Sequence, residues 1–378
     1  MSEYQYYDFY SADKPLSSED RKEINSWSSR ASVSRHQAIF TYNYSDLPVD
    51  EMQAVLNYFD GLLYYTNWGT RQVVLKLPLH LADYNKLKQY DCEASFNYDN
   101  YLRVTKKRKY VLIDMFFSED DVEWIEGEGL LANFINFRQD ILNGDYRVLF
   151  IFWLHILKEQ YEYEEISDEN GIPQHLIPAN LDTLNPALNE FIDFFEIDRD
   201  WIVTAASYSE TNADEKVDFA KKVANLNEET KNDFLLRLLN GETNLAFALK
   251  KELTNSSQKQ TATEKYISFD DFYQQVETIV EDRNAEKRRT EAEAHTKKMK
   301  KLAETKGDIW KSIDVLLLKT SHSNYKHIAE HLVDLKALSI FEGEQEIFIE
   351  RLDEIKRKYG RRRTFIAVSY THLRAHET

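Results

Sequence analysis

Apolar positions change their spacing partway along the chain. Up to about Asp121, strand-like and helix-like stretches alternate. Glu3 to Tyr10 is aromatic and β-favouring, which predicts a strand stopped before Pro15. Ser17 with Asp20 three residues on is a capping pair, predicting a helix to about Ser28, and Ala38 to Tyr44 reads as extended again. From Pro48, the positions Met52, Val55, Leu56, Phe59, Leu62 and Leu63 recur at helical spacing, so an amphipathic helix is expected to run to Asn67-Trp68-Gly69. Val73, Leu75 and Leu77 alternate as a strand closed by Pro78, and Leu102 to Val104 with Tyr110 to Phe117 predict a β-hairpin.

Beyond Asp121 helical spacing takes over. Leu130, Leu131, Phe134, Phe137 and Ile141 share one face that Asn143-Gly144 ends. Val148 to Leu157 is apolar nearly all round, the pattern of a buried helix. Asn185-Pro186 and Asp198 are helix starts, and Asn240-Gly241 separates helices at Glu228 to Leu239 and Asn244 to Leu253. Thr254 to Thr263 has no apolar period and reads as a linker. The long helix after it has a core face at Phe269, Phe272, Val276 and Ile279. From Glu281 to Lys301 it is charged nearly all round, as in a segment projecting into solvent or bridging two bodies. Three further apolar sets, around Ile313, Ile328 and Leu352, predict three packed helices. The fold class is therefore α+β. The expected organisation is an N-terminal mixed α/β-sheet domain at 1–122, a helical domain at 123–253, a linker at 254–263 and a helical C-terminal region at 264–367.

The residues Val368 to Thr378 read Val-Ser-Tyr-Thr-His-Leu-Arg-Ala-His-Glu-Thr, which resembles the translation of a transposase-end adaptor used in sequencing libraries. This segment is expected to take no part in the fold, so His372 and His376 are not counted as ligands, and the natural C-terminus is expected to differ.

Charge and composition narrow the function classes. The net charge is -17, and residues 1–260 carry 26 Lys+Arg against 44 Asp+Glu, so nucleic-acid binding is not expected from that part. A single cysteine, Cys92, flanked by Asp91 and Glu93, excludes disulfides and multi-cysteine metal sites and is a poor nucleophile. Neither a secretion signal nor a membrane span is legible, so a cytoplasmic location is expected. The 23 Tyr and 21 Phe match the amino-acid usage of an AT-rich genome, which raises Tyr, Phe, Asn, Lys and Ile together.

Candidate chemistry is sparse. No glycine-rich phosphate loop and no nucleophile elbow is present, and no catalytic residue, cofactor or metal site is assigned. His327-Ile328-Ala329-Glu330-His331 has the order of inverted zinc peptidases, but both histidines flank an ordinary apolar stripe and a third ligand is not evident. Glu126 to Gly129 reads as a turn whose charges complement a helix dipole, and Lys106 to Lys109 and Arg361 to Arg363 as a solvated turn and a helix cap. The strongest candidate is Asn67 to Arg71, where Trp68 beside Arg71 would form a recognition patch if both were exposed. The plainer account has Trp68 covering a helix end and Arg71 pairing with a carboxylate such as Asp60.

Ser28-Ser29-Arg30-Ala31, Tyr58 to Tyr65 running into Asn67 to Arg71, Gly127 to Leu130, Asn143 to Arg147 and Ile197 to Trp201 together resemble an uncharacterised family of bacterial proteins. The resemblance implies a bacterial source and brings no activity with it. Arg30, Asp60, Trp68 and Arg71 are the candidate binding residues, and the leading reading is a non-catalytic interaction or scaffold protein with protein partners. An enzyme of unidentified class, or a nucleic-acid accessory protein acting through the C-terminal helical arm, is the alternative. Convergence decides between them: an enzyme should gather several of Arg30, Asp60, Arg71, Glu128 and His155 into one pocket, whereas a scaffold should hold them in separate pairs.

Overall fold

The computed structural model describes residues 3–94, 100–119, 127–162, 171–210, 219–254, 265–318, 322–359 and 362. Residues 255–263 of the expected linker, Glu126, Arg361, Arg363 and the segment 368–378 lie outside the described residues. The chain forms two compact units, 1–279 and 280–378.

The first unit is built on an antiparallel sheet of eight strands. They are β1 (Gln5–Tyr10), β2 (Ser32–Val33), β3 (Gln37–Tyr42), β4 (Gly61–Thr66), β5 (Thr70–Pro78), β6 (Cys92–Ala94), β7 (Asn100–Lys107) and β8 (Tyr110–Ser118), in the order β2-β3-β1-β4-β5-β8-β7-β6. The predicted strand at Gln5–Tyr10 is present and lies between β3 and β4. The hairpin of β7 and β8 turns at Arg108, whose φ is 56. Helix α1 (Ser18–Ser26) carries the full capping box of Ser17 and Asp20, and Asp50 caps α2 (Glu51–Asn57).

The helix expected to continue to Leu63 stops at Asn57 instead. Leu62 and Leu63 lie in β4. This strand is central and buried on both faces, so it shows no polar alternation, and a continuous apolar run satisfies helical spacing by default. Gly61 permits the close approach there: a side chain at this position would meet Ile135 at 2.5 Å and the Val74 carbonyl at 3.3 Å. Asn67-Trp68-Gly69 therefore joins two strands, with Gly69 at φ 101 supplying the left-handed residue of the turn.

One face of the sheet, with Tyr7, Phe9, Phe40, Leu62 and Val74, packs against Ile24 of α1 and Ala54 and Val55 of α2. The other face meets α4 (Leu131–Phe134), α5 (Phe137–Leu142) and α6 (Arg147–Glu162). α7 (Pro186–Phe194) packs on α4 and α6 and reaches Tyr65 of β4 through Phe194, α8 (Arg199–Ser207) packs on α6, and Tyr84 of α3 (Tyr84–Leu87) lies against Lys106 of β7. The single helix expected over Leu130 to Ile141 is broken into α4 and α5 by a tightened turn in which Asn136 N–H donates to Asn133 O. α6 is buried from Val148 to Leu154, as its all-round apolar pattern requires, and Asn185 and Asp198 cap α7 and α8. Phenylalanine concentrates here. Phe134, Phe137, Phe152, Phe191, Phe194 and Phe195 are fully buried and touch ring to ring, so the aromatic residues fill a core.

The short strands β2 and β6 at the sheet edges were not anticipated, nor were β9 (Ile172–Pro173) and β10 (Tyr266–Ile267), which pair with each other. Short helices α9 (Phe219–Ala224), α10 (Glu228–Leu239) and α11 (Leu245–Thr254) precede α12 (Phe269–Leu318). The start of α12 is fixed by Phe272 against Trp201, with ring centroids 5.5 Å apart.

In the second unit, α12 packs with α13 (His322–Glu342) and α14 (Gln345–Tyr359). Trp310, Ile313 and Leu317 of α12 are buried along one seam, facing Tyr325, Ile328, Leu332 and Leu335 of α13 and Phe348, Leu352 and Ile355 of α14. The seam alternates steps of three and four, the spacing of left-handed helix packing. The first of the three predicted helices is thus the end of α12.

Asp8 is a buried acid on β1 whose carboxylate accepts from the Gln37 side-chain amide, 3.0 Å from each oxygen. Burial pushes its carboxyl up to about 7, with the Gln37 bond offsetting part of the effect. The folded pKa lies above the unfolded value of about 4, so the folded state holds the proton more tightly. The associated stability is full below about pH 4 and is lost as pH rises through about 7. Asp8→Asn is expected to raise the melting temperature at pH 8 while changing it little at pH 4. Parallel melting-temperature curves for the two proteins across that range would refute this.

Candidate functional site

The sheet brings together a buried charge network that no local motif announces. Asp60, just before β4, is held by its own N–H donating to Tyr10 O and by Lys76 N–H donating to Asp60 O. Its side chain accepts from the Ala12 and Asp13 N–H groups, both at 2.9 Å, and lies 3.4 Å from the Lys76 ammonium and 3.7 Å from Arg138. Arg138 of α5 forks onto Asp13 at 3.1 and 3.0 Å and donates to Lys76 O at 2.7 Å. Asn244 donates to Asp13, and Lys76 donates to Val55 O at 2.8 Å with the Tyr110 ring centroid 4.8 Å away. Two cations and two carboxylates thus cancel.

Burial pushes the Lys76 ammonium below its usual range, and Asp60 partly restores it. For Asp13, burial alone would raise the carboxyl, but Arg138 outweighs it and the net direction is down. A cavity of about 370 Å³ adjoins the network, lined among others by Lys14, Tyr58, His80, Lys109, Tyr110 and Glu242. The arrangement binds the Ser11 to Lys14 loop, both sheet strands and α5 together. Lys76 is its one group with chemistry to spare, and its ammonium is already occupied by Val55 O and Asp60.

Arg71 does not pair with Asp60. The β4–β5 register sets Gly61 opposite Leu75 and Tyr65 opposite Arg71, which places Asp60 and Arg71 at opposite ends of the hairpin, roughly 15 Å apart. Arg71 instead donates to Phe194 O at 2.6 Å and pairs with Glu196 at 2.6 Å. It caps the C-terminal end of α7, where a cation complements the helix dipole. Arg71 is 4% exposed and Trp68 is 41% exposed, so the two do not form one open patch. The turn that carries Trp68 joins β4 to β5, so the helix end it was expected to cover is not at this turn.

The remaining candidates stand apart. Arg30 is exposed, as is Glu128. His155 lies against Phe117, with ring centroids 4.1 Å apart, and both of its ring nitrogens are buried without a hydrogen-bond partner. Burial, with Lys158 and Arg71 nearby, pushes it down to about 3, so it is neutral at physiological pH. Cys92 is pushed up to about 12, mainly by burial. His327 pairs with Glu330 at 3.2 Å on an exposed face of α13. Among the described residues no three His, Cys, Asp or Glu side chains are grouped to hold a metal ion, and no helix is long and apolar enough to cross a membrane.

Sequence reasoning singled out Asp60 but missed Asp13, Lys76 and Arg138. An apolar strand interrupted by one lysine, as in Val73 to Leu77, was the available signal, because a lysine at a buried strand position requires a partner. Comparison with known proteins finds no matching family model, no matching curated protein and no matching solved structure.

Proposed function

We propose that this is a non-catalytic interaction or scaffold protein of a bacterial cytosol, with protein partners engaged through the first unit. The observation that carries the reading is α10, where Leu235, Leu236, Leu238 and Leu239 are 57%, 61%, 61% and 83% exposed. Contiguous leucines left in water mark a protein-binding surface more often than a free one. Dispersal of the chemical candidates supports it: Asp60 lies in a closed neutral network, Arg71 caps a helix, and Arg30 and Glu128 stand on open surface.

The enzyme alternative rests on Lys76 beside the 370 Å³ cavity. It is weakened because Val55 O and Asp60 already engage that ammonium.

A photo-cross-linking residue placed at Leu235 or Leu239 is expected to yield discrete protein adducts in cells, while the same residue at exposed Lys22 of α1 yields none. Leu235→Glu with Leu239→Glu should leave the melting curve unchanged and remove the complex. Equal, diffuse labelling at all three positions would defeat the reading.

A further inference from the structure

The second unit carries a surface of the opposite character, independent of the α10 leucines. Residues 1–279 hold 27 Lys+Arg against 48 Asp+Glu, whereas 283–301 of α12 hold 8 Lys+Arg against 3 Asp+Glu. Every residue from Glu281 to His295 is exposed, and so are Lys297, Lys298, Lys300 and Lys301. The acids of this stretch are partly neutralised within it, since Arg289 lies 3.0 Å from Glu286 and 3.7 Å from Glu293. Lys298 reaches Asp334 of α13. Among the described residues no carboxylate pairs with Lys287, Arg288, Lys297, Lys300 or Lys301.

We propose that this stretch of α12 binds double-stranded nucleic acid by its phosphate backbone, as a helix seated in a groove. Charge sign alone would admit any acidic partner, and geometry separates them. At about 100° per residue the five cations spread over roughly 240° of the helix circumference. A single acidic protein face can meet at most half of a helix. The two walls of a major groove about 12 Å wide flank a helix about 10–12 Å across and present phosphates on both sides of it. Ala285, Thr290, Ala292 and Ala294 stand between the cations, together with Glu286, Glu291, Glu293 and His295. The proposal rests on phosphate contacts alone, which carry no sequence information, so the binding is expected to be sequence-independent.

Neutralising about five phosphates gives a log–log salt slope near -4.5, a loss of about 500-fold between 50 and 200 mM salt. The test is fluorescence anisotropy of a labelled random-sequence duplex of about 20 base pairs with the full chain at both salt concentrations. The expected result is binding at 50 mM that falls with this slope. The variant Lys287→Glu, Lys297→Glu, Lys301→Glu should lose at least about 100-fold, with circular dichroism reporting whether α12 stays helical. If the helix is lost, the triple Lys→Gln variant replaces it and should lose about tenfold or more with a shallower slope. No duplex binding at 50 mM, a triple Lys→Gln variant that binds like wild type, or polyglutamate competing as well as unlabelled duplex would each overturn the proposal. The last outcome would assign the stretch to an acidic protein. The α10 variant should bind duplex normally, so failure of either reading leaves the other intact.

Discussion

Asp60→Ala is expected to destabilise the first unit by about 3 to 5 kcal/mol, because removing one partner strands the others. Lys76 and Arg138, 5% and 4% exposed, would keep their charges with only Asp13 to balance them, and the Ala12 and Asp13 N–H groups would lose their shared acceptor. Asp60→Asn separates the two contributions, since its amide oxygen can still accept from the loop while the charge is gone, and should fall between wild type and Asp60→Ala. Denaturant unfolding followed by tryptophan fluorescence measures both. A cost below about 1 kcal/mol for Asp60→Ala would mean that water already reaches the network, and the adjoining cavity would then regain interest as a reactive site.

The second large effect lies on the opposite face of the sheet. Phe191→Ala should cost about 3 to 5 kcal/mol by emptying a site that its neighbours cannot refill. The Phe191 ring centroid is 4.9 Å from Phe195, 5.6 Å from both Phe134 and Phe137, and 6.2 Å from Phe152, and the residue is fully buried. These rings come from four separate helical segments, so the cavity would loosen all of them at once. Phe191→Leu keeps most of the volume and should cost less than half as much. The same denaturant series reads both variants, and an alanine variant as stable as the leucine one would show that the cluster collapses around the gap.

These two sites differ in how far the chain alone reveals them. Phe191 stands with Phe194 and Phe195 just after the Asn185-Pro186 helix start, an apolar set whose burial that local pattern indicates. Asp60 was legible as a candidate, but with the wrong partner. Arg138 lies far along the chain from both Asp13 and Asp60, and nothing local to any of the three marks the others.

What the amino-acid sequence determined by itself is whatever short-range chemistry decides. The Ser17 and Asp20 box, the Asn185 and Asp198 caps, the turn at Arg108 and the charged run after Glu281 all depend on neighbours within a turn of helix or hairpin, and all appear where the residues place them. Only the tertiary structure decided the rest. Gly61 to Thr66 is a strand because β1 and β5 flank it on both sides, and a segment buried on two faces loses the alternation that would have told strand from helix. The same register sends Arg71 to the end of α7 and Lys76 to Asp60, since a pairing shift of one residue would exchange the two faces of the strand. Which charges meet, and which are left in water, follows from strand pairing across the whole first unit, and that information is spread over the chain.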